Sequence, residues 1–286
     1  MSRRAFLQSC LAFAFLSALP GQAEAAAAAF KPTRIAVAVR GSGPDVILVH
    51  GLGASRTIWN GTVLGVPGYR YHLVQILGFA GTSAGGNANG RVAAPVADEI
   101  ARYIAANGLR KPAVVGHSMG GSIAMMVAAR HPRLVGKAMV VDMVPAASSL
   151  AGFSGSAPAP LAKLLGREIE GADRLRRDLK SLVGRFGSTD WLETGSDGGV
   201  VARSIQELTA TDLTPEIARM PVPLTVVYAC PQPLRLSRPA IDRFYARAYA
   251  ARPGTKLIRI ERSGHTIMMD QPAAFRAALK DFLRAG

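Results

Sequence analysis

Residues 113–130 read AVVGHSMGGSIAMMVAAR, and their pattern is the most informative local signal in the chain. The short apolar run 113–116 predicts a buried strand, and the apolar residues that follow predict a helix over 118–130. Between the two elements stands a G-x-S-x-G string, Gly116 to Gly120, in which glycine allows a closer backbone approach than a Cβ atom would. The pattern predicts a tight strand-to-helix turn that holds the hydroxyl of Ser118 clear of a sheet.

Strands and helices are predicted to alternate on both sides of this turn. Short runs rich in β-branched residues predict strands at 33–40, 45–49, 71–77, 137–142, 224–229 and 256–261. Helical periodicity is found at 95–107, 239–251 and 272–283. This alternation favours an α/β fold, with a mostly parallel central sheet and helices on both of its faces.

One long stretch, 145–220, interrupts the alternation. It contains no strong strand pattern and includes the loop-like strings SGSAPAP (154–160) and TGSDGG (194–199). We interpret 145–220 as a helical insertion that forms a cap, and 26–144 with 221–286 as the core domain.

A second small-residue turn, His50-Gly51-Leu52-Gly53, follows the strand predicted at 45–49. Together with the turn at Ser118 it could supply two backbone amides to an oxyanion, and we assign these amides to Leu52 and Met119. His50 is expected to order the loop by hydrogen bonding, although a role as a base stays open. Residues 51–56 lack the third glycine of a dinucleotide-binding loop, so no nucleotide cofactor is predicted.

The general base is expected on a loop after the last strand, where Ser263-Gly264-His265-Thr266 stands. The imidazole of His265 could take the proton of Ser118 and pass it to a leaving group. His117 lies inside the turn, and its side chain is expected to point away from the serine.

The strings HGLG (50–53), GHSMG (116–120) and SGHTIMMDQPAAF (263–275), in this order, resemble the α/β-hydrolase superfamily, specifically its capped serine hydrolases. The resemblance implies an acyl-enzyme on Ser118 and hydrolysis of a carboxylic ester, less readily of an amide. It implies no cofactor, and the sequence shows no cluster of metal ligands.

The acid of the expected triad departs from the superfamily pattern. In most members an aspartate follows the strand that corresponds to 224–229 here, but CPQPL (230–234) contains no carboxylate, and Gln232 stands at the position of that aspartate. Some members place the acid after the preceding strand, where this chain has Asp142. Asp142 is therefore the predicted partner of His265, and Asp270 is the second candidate, although we expect Asp270 to cap the final helix.

The substrate is not specified by these motifs. A small-molecule ester or an anionic polymer would both fit, and the missing acid leaves open a catalytically inactive binding protein of the same fold. Hydrolysis by Cys230 is disfavoured, because no turn of the required kind surrounds it. The candidate pocket residues, each equally compatible with core packing, are Phe153, Phe186, Trp191 and Met268.

The charge and the aromatic content of the chain limit the class of binding partner. The 286 residues carry a formal net charge of +15 and 6% aromatic residues, and no block of like charges forms a nucleic-acid arm. We therefore predict no nucleic-acid partner, and the sequence leaves the oligomeric state open.

The first 25 residues have the pattern of an export signal. Ser2-Arg3-Arg4-Ala5-Phe6-Leu7 precedes a short apolar run and an A-x-A site at Ala23-Glu24-Ala25. The paired arginines resemble the twin-arginine motif, and an ordinary secretory signal is the alternative. The apolar run is too short for a stable membrane span, which needs about 18 residues or more. We expect a periplasmic or secreted protein.

Overall fold

The computed structural model of the protein describes residues 30–149, 195–231 and 237–285. The predicted signal 1–25 and part of the predicted cap lie outside these ranges, and so do Phe153, Phe186, Trp191 and Gln232. What the sequence predicts for them stays a prediction.

A single sheet of seven strands runs through the described residues, in the order β1-β3-β2-β4-β5-β6-β7. The strands are β1 (Ile35–Arg40), β2 (Asp45–Val49), β3 (Arg70–Ile76), β4 (Ala113–His117), β5 (Lys137–Val141), β6 (Leu224–Cys230) and β7 (Lys256–Glu261). β1 pairs with β3 in antiparallel orientation, and every other pair is parallel. The predicted mostly parallel sheet is confirmed.

The strand order brings the two small-residue turns together. The chain runs outward from β2 to β3 and then returns to place β4 on the other side of β2. Val49 of β2 is paired with Gly116 of β4, so the segments after them leave the sheet side by side. Ligands of open α/β sheets bind at such a switch point, beyond the carboxyl ends of the strands.

Eight α-helices are found in the described residues. They are α1 (Asn60–Gly65), α2 (Ala93–Ala106), α3 (Met119–Arg130), α4 (Gly198–Ala210), α5 (Thr214–Ala218), α6 (Arg238–Ala248), α7 (Ile267–Asp270) and α8 (Pro272–Arg284). None of these helices combines the length and the apolar character that a bilayer crossing requires.

Helices cover both faces of the sheet, as predicted. On one face α3 contacts β4 and β5, and α2 and α5 pack against α3, so its residues 119–128 are all buried. On the other face the apolar side of α8, including Phe275 and Leu279, packs with Leu48 and Val115 of the sheet. Burying a leucine or phenylalanine side chain contributes about 1.5–3 kcal/mol, so these two layers stabilise the sheet that carries the site.

The described part of the predicted insertion is helical and is anchored to the core. The N–H of Leu213 donates to the carbonyl of Pro145, which joins the two ends of the insertion. Glu207 of α4 accepts hydrogen bonds from three consecutive backbone N–H groups at the start of α2. Residues 198–218 therefore pack against the helical layer of the core.

Candidate active site

Ser118 occupies a strained turn between β4 and α3. Its backbone has φ 54° and ψ −123°, a region that residues with a side chain rarely adopt. The glycines on either side make the turn possible. A Cβ atom on Gly116 would lie 1.9 Å from the carbonyl oxygen of Gly120, and one on Gly120 would lie 2.3 Å from the carbonyl oxygen of Val49.

His50 joins the loop after β2 to the end of β3. The backbone N–H of Ile76 donates to Nε2 of His50 at 3.0 Å, so the ring proton is on Nδ1. Nδ1 then donates to the carbonyl of Gly51 at 2.8 Å, which confirms the prediction that His50 orders the loop. A Cβ atom on Gly51 would lie 3.0 Å from the Cβ of Ser118, so the loop after β2 passes directly beside the serine.

His265 and Asp142 are joined by a hydrogen bond. Nδ1 of His265 donates to Oδ2 of Asp142 at 2.7 Å, which leaves Nε2 as the nitrogen that can take a proton. Asp142 follows β5 and His265 follows β7, so the carboxylate crosses the end of β6. There its Oδ1 accepts from the backbone N–H of Ala229 and from the hydroxyl of Tyr245, each at 2.9 Å.

The surroundings of Asp142 keep the carboxylate ionised. Burial alone would raise its pKa, but the hydrogen bond and charge of His265, with the donors Ala229 and Tyr245, outweigh burial and lower the pKa. A buried negative charge beside Nδ1 of His265 fixes the tautomer of the imidazole and stabilises its protonated form.

His117 supports the same loop, a contact that sequence reasoning missed. Its Nε2 donates to the backbone carbonyl of His265 at 2.9 Å, and the two ring centroids are 4.6 Å apart. Burial, together with the charge of His265, lowers the pKa of His117 to about 3, so the ring is neutral. In the sequence, the position of His117 inside the turn indicates that its side chain is buried. It does not indicate that the side chain binds the carbonyl of His265.

Asp270 has a different role from the predicted helix cap. Its Oδ2 accepts from the backbone N–H of Gly264 at 2.8 Å and so closes the loop that carries His265. The residue at the start of α8, Gln271, makes no side-chain capping bond. The prediction that Asp270 caps the final helix, α8, was therefore wrong. Asp270 is the last residue of the short helix α7, and its side chain binds the loop of His265.

The comparison with known proteins agrees with this geometry. The model of the alpha/beta hydrolase family matches residues 46–278, which include both turns, Asp142 and His265. The chain belongs to the alpha/beta hydrolase family. This confirms the resemblance to the superfamily and the fold class predicted from the sequence.

Relatives of this alpha/beta hydrolase include esterases. A pimeloyl-[acyl-carrier protein] methyl ester esterase of Aeromonas hydrophila is 25% identical over 264 residues, which cover 85% of this chain and 96% of the relative. A hydrolase from Oleispira antarctica superposes with a TM-score of 0.72 at 16% identity, over 89% of this chain and 96% of that one. An esterase from Exiguobacterium antarcticum has a TM-score of 0.70 at 20% identity, with coverages of 88% and 96%.

Two further residues of this alpha/beta hydrolase were open after sequence analysis. Met268 is 5% exposed and lies in a buried cluster with Phe275, so the structure favours core packing for it over a place in a pocket. Cys230 is buried at the end of β6, and burial, then Glu261, raises the pKa of its thiol. A buried protonated thiol is a poor nucleophile, which agrees with the rejection of a cysteine hydrolase.

Among the described residues of the hydrolase, no three His, Cys, Asp or Glu side chains are grouped as a metal ion would need. The described site presents a strained serine, an imidazole and a buried carboxylate.

Proposed function

We propose that the protein is a serine hydrolase that cleaves carboxylic esters through an acyl-enzyme on Ser118. The observation that carries this proposal is the 2.7 Å hydrogen bond from His265 to the buried carboxylate of Asp142, in the fold of a family whose nucleophile stands on such a turn. A serine needs a base, and a base works best when a third group orients it.

In the first step Oγ of Ser118 attacks the carbonyl carbon of the ester while Nε2 of His265 takes its proton. The imidazolium that forms is stabilised by the carboxylate of Asp142. The tetrahedral intermediate then collapses, His265 protonates the leaving alcohol, and the acyl group stays on Ser118.

The negative oxygen of the intermediate is stabilised by the N–H groups of Leu52 and Met119. Among the described residues neither N–H is engaged by a backbone acceptor, and Met119 begins α3, whose positive dipole end favours an anion. In the second step His265 activates a water molecule, which releases the carboxylic acid and restores Ser118.

The substrate class we propose is a small-molecule carboxylic ester. The relative from Aeromonas hydrophila is named for a methyl ester of a pimeloyl group, and the ester bond is what we carry over from it. An amide is tested below as the competing substrate, and an anionic polymer stays the alternative class.

The nucleophile is tested with Ser118→Ala, and Ser122→Ala serves as its matched control. Ser122 is also buried in the first turn of α3, but the mechanism gives it no role. Ser118→Ala should lower kcat by about 10⁵-fold or more, because the reaction then has no nucleophile. The measurement is hydrolysis of nitrophenyl esters of graded acyl length and of matching anilides, with mass spectrometry of the fluorophosphonate adduct.

Fluorophosphonate labelling should occur in the wild type and in Ser122→Ala, and should be absent from Ser118→Ala. Undiminished labelling of Ser118→Ala would overturn the assignment. A wild type that neither hydrolyses an ester nor accepts the label would instead support a binding protein. Cys230→Ser should retain activity, and its inactivation without unfolding would revive the thiol mechanism.

A further inference from the structure

The hydroxyl of Tyr245, near the end of α6, reaches the buried carboxylate of Asp142. Its oxygen lies 2.9 Å from Oδ1, and the Tyr245 side chain is only 5% exposed. The carboxylate is ionised and can only accept, so the tyrosine donates this hydrogen bond. Tyr245 does not face the reacting atoms directly, because Asp142 stands between it and His265.

Asp142 needs such a donor because of its position in the sheet. Its carboxylate must extend from the end of β5 across β6 to reach the loop after β7. The N–H of Ala229 restrains rotation of the carboxylate about its Cβ–Cγ bond from one side only. A second donor on Oδ1, approaching from α6, fixes this rotation and directs Oδ2 to Nδ1 of His265.

We propose that Tyr245 is a positioning residue of the site, which aligns the Asp142 carboxylate with His265. The inference rests on the proposed function, since alignment has a kinetic consequence only if His265 acts as the base. Tyr245 thus compensates for the unusual location of the acid, which this chain carries on β5.

The ring of Tyr245 is itself held in place. It stacks on the ring of Tyr228, with centroids 4.2 Å apart and an angle of 20° between the planes. The hydroxyl of Tyr228 donates to Asp242 at 2.7 Å, and Asp242 also pairs with Arg259. The donor to Asp142 is therefore preorganised by an aromatic stack and an ion pair, both outside the reacting groups.

Tyr245 remains a donor throughout the working pH range. Burial, followed by the negative charge of Asp142, raises the pKa of Tyr245 well above its usual value. The phenol therefore stays protonated, and its hydrogen bond is one of the contacts that keep Asp142 ionised.

The test is Tyr245→Phe, which keeps the ring and its stack and removes only the hydroxyl. Tyr249→Phe is the matched control: Tyr249 is also buried, follows the same helix, and donates to the carbonyl of Met143 at 2.8 Å. Both variants lose one buried hydroxyl. Only Tyr245→Phe should lower kcat, by about 10- to 100-fold, the range expected for loss of one hydrogen bond to a charged group.

Two readouts separate alignment from a general loss of stability. KM should stay within about threefold of wild type in Tyr245→Phe, because the carboxylate acts mainly when His265 becomes charged. The downfield proton resonance of Nδ1–H of His265 should move in Tyr245→Phe and keep its position in Tyr249→Phe.

A double-mutant cycle tests whether Tyr245 acts through Asp142. Asp142→Asn alone should lower kcat by about 10³- to 10⁴-fold, as loss of a triad aspartate does. Adding Tyr245→Phe to Asp142→Asn should cost less than about twofold more, since the hydroxyl then has no carboxylate to align.

Wild-type kcat in Tyr245→Phe, or equal losses in Tyr245→Phe and Tyr249→Phe, would overturn the inference and leave the proposed function standing. A full additional loss in the double mutant would likewise show that Tyr245 acts by another route. Failure of Asp142→Asn to change kcat would instead remove the proposed triad, on which the inference rests.

Discussion

Ser118, Asp142 and Arg262 share a positive backbone φ, of 54°, 53° and 55°. Each follows directly after the last residue of a strand, β4, β5 or β7. Residues with a Cβ atom adopt this conformation only where the surroundings enforce it, and such positions concentrate at functional sites. The three turns redirect the chain at the carboxyl edge of the sheet, where the proposed nucleophile, acid and base loop lie.

The neutral state of His117 has a measurable consequence for the pH dependence of stability. The buried imidazole has a pKa of about 3, whereas the same group in the unfolded chain titrates near 6.5. Between these two values the unfolded state binds more protons, so the contribution of His117 to stability is present above pH 6.5 and is lost as the pH falls.

We expect His117→Asn to remove this part of the pH dependence. In the wild type, His117 lowers the free energy of unfolding by up to about 1.4 kcal/mol for each pH unit below 6. The free energy of unfolding of the two proteins should therefore converge between pH 6 and pH 4, as measured by urea unfolding. Parallel pH profiles would show that His117 is not neutral in the folded protein.

The site residues that sequence analysis found are those with local signals. Ser118 stands in a recognisable turn, and His265 and Asp142 follow predicted strands. The contacts of Tyr245 and His117 join residues that are distant in the chain, and no local pattern encodes them. The bond of Asp270 to Gly264 depends on how the loop of His265 folds, and no local pattern encodes it either. A tyrosine in an amphipathic helix predicts burial but does not identify the oxygen that it will bind.

At the scale of elements, α2 shows how the described part of the insertion supports the core. Val92, at the start of α2, makes no side-chain capping bond, so the first N–H groups of the helix would lack acceptors. Glu207 of α4 accepts from Val92, Ala93 and Ala94 at 2.6–2.9 Å and takes the place of a local cap. The carboxylate also suits the positive end of the helix dipole.

Glu207→Gln should destabilise the protein by about 1–3 kcal/mol, because buried N–H groups lose a charged acceptor. Glu216→Gln is the control: Glu216 pairs with Arg130 at a partly exposed site, and such a pair is worth about 0–1 kcal/mol. Urea unfolding measures both, and kcat of the folded variants should stay near wild type. Equal losses of stability in the two variants would contradict the role of Glu207 as the acceptor that joins α4 to α2.

Elements were predictable where the pattern is long enough. The bounds of β2 and β7 agree with the predicted 45–49 and 256–261, and those of the other strands differ by at most two residues. The helices α1 and α7 were missed, because six and four residues are too few to show a 3.6-residue period. The short α7 is set by the turn at His265, a tertiary feature.

For the whole molecule, the proposal that the chain is exported rests on the sequence of residues 1–25. We expect replacement of both Arg3 and Arg4 by lysine to keep the precursor in the cytoplasm, because the twin-arginine receptor reads the pair specifically. Cell fractionation and the mass of the mature chain measure this outcome. Normal processing of the doubly substituted chain would point to the general secretory route.

The position of Asp142 also matters to anyone who would evolve this enzyme in the laboratory. The connection from β6 to α6, residues 231–237, does not have to carry the acid of the proposed site, because Asp142 after β5 carries it. The proposed triad should therefore survive randomisation of residues 232–236, provided that Ala229 keeps its place in the strand. Where relatives that carry the acid at this point in the chain need to keep it, we expect this chain to tolerate substitution.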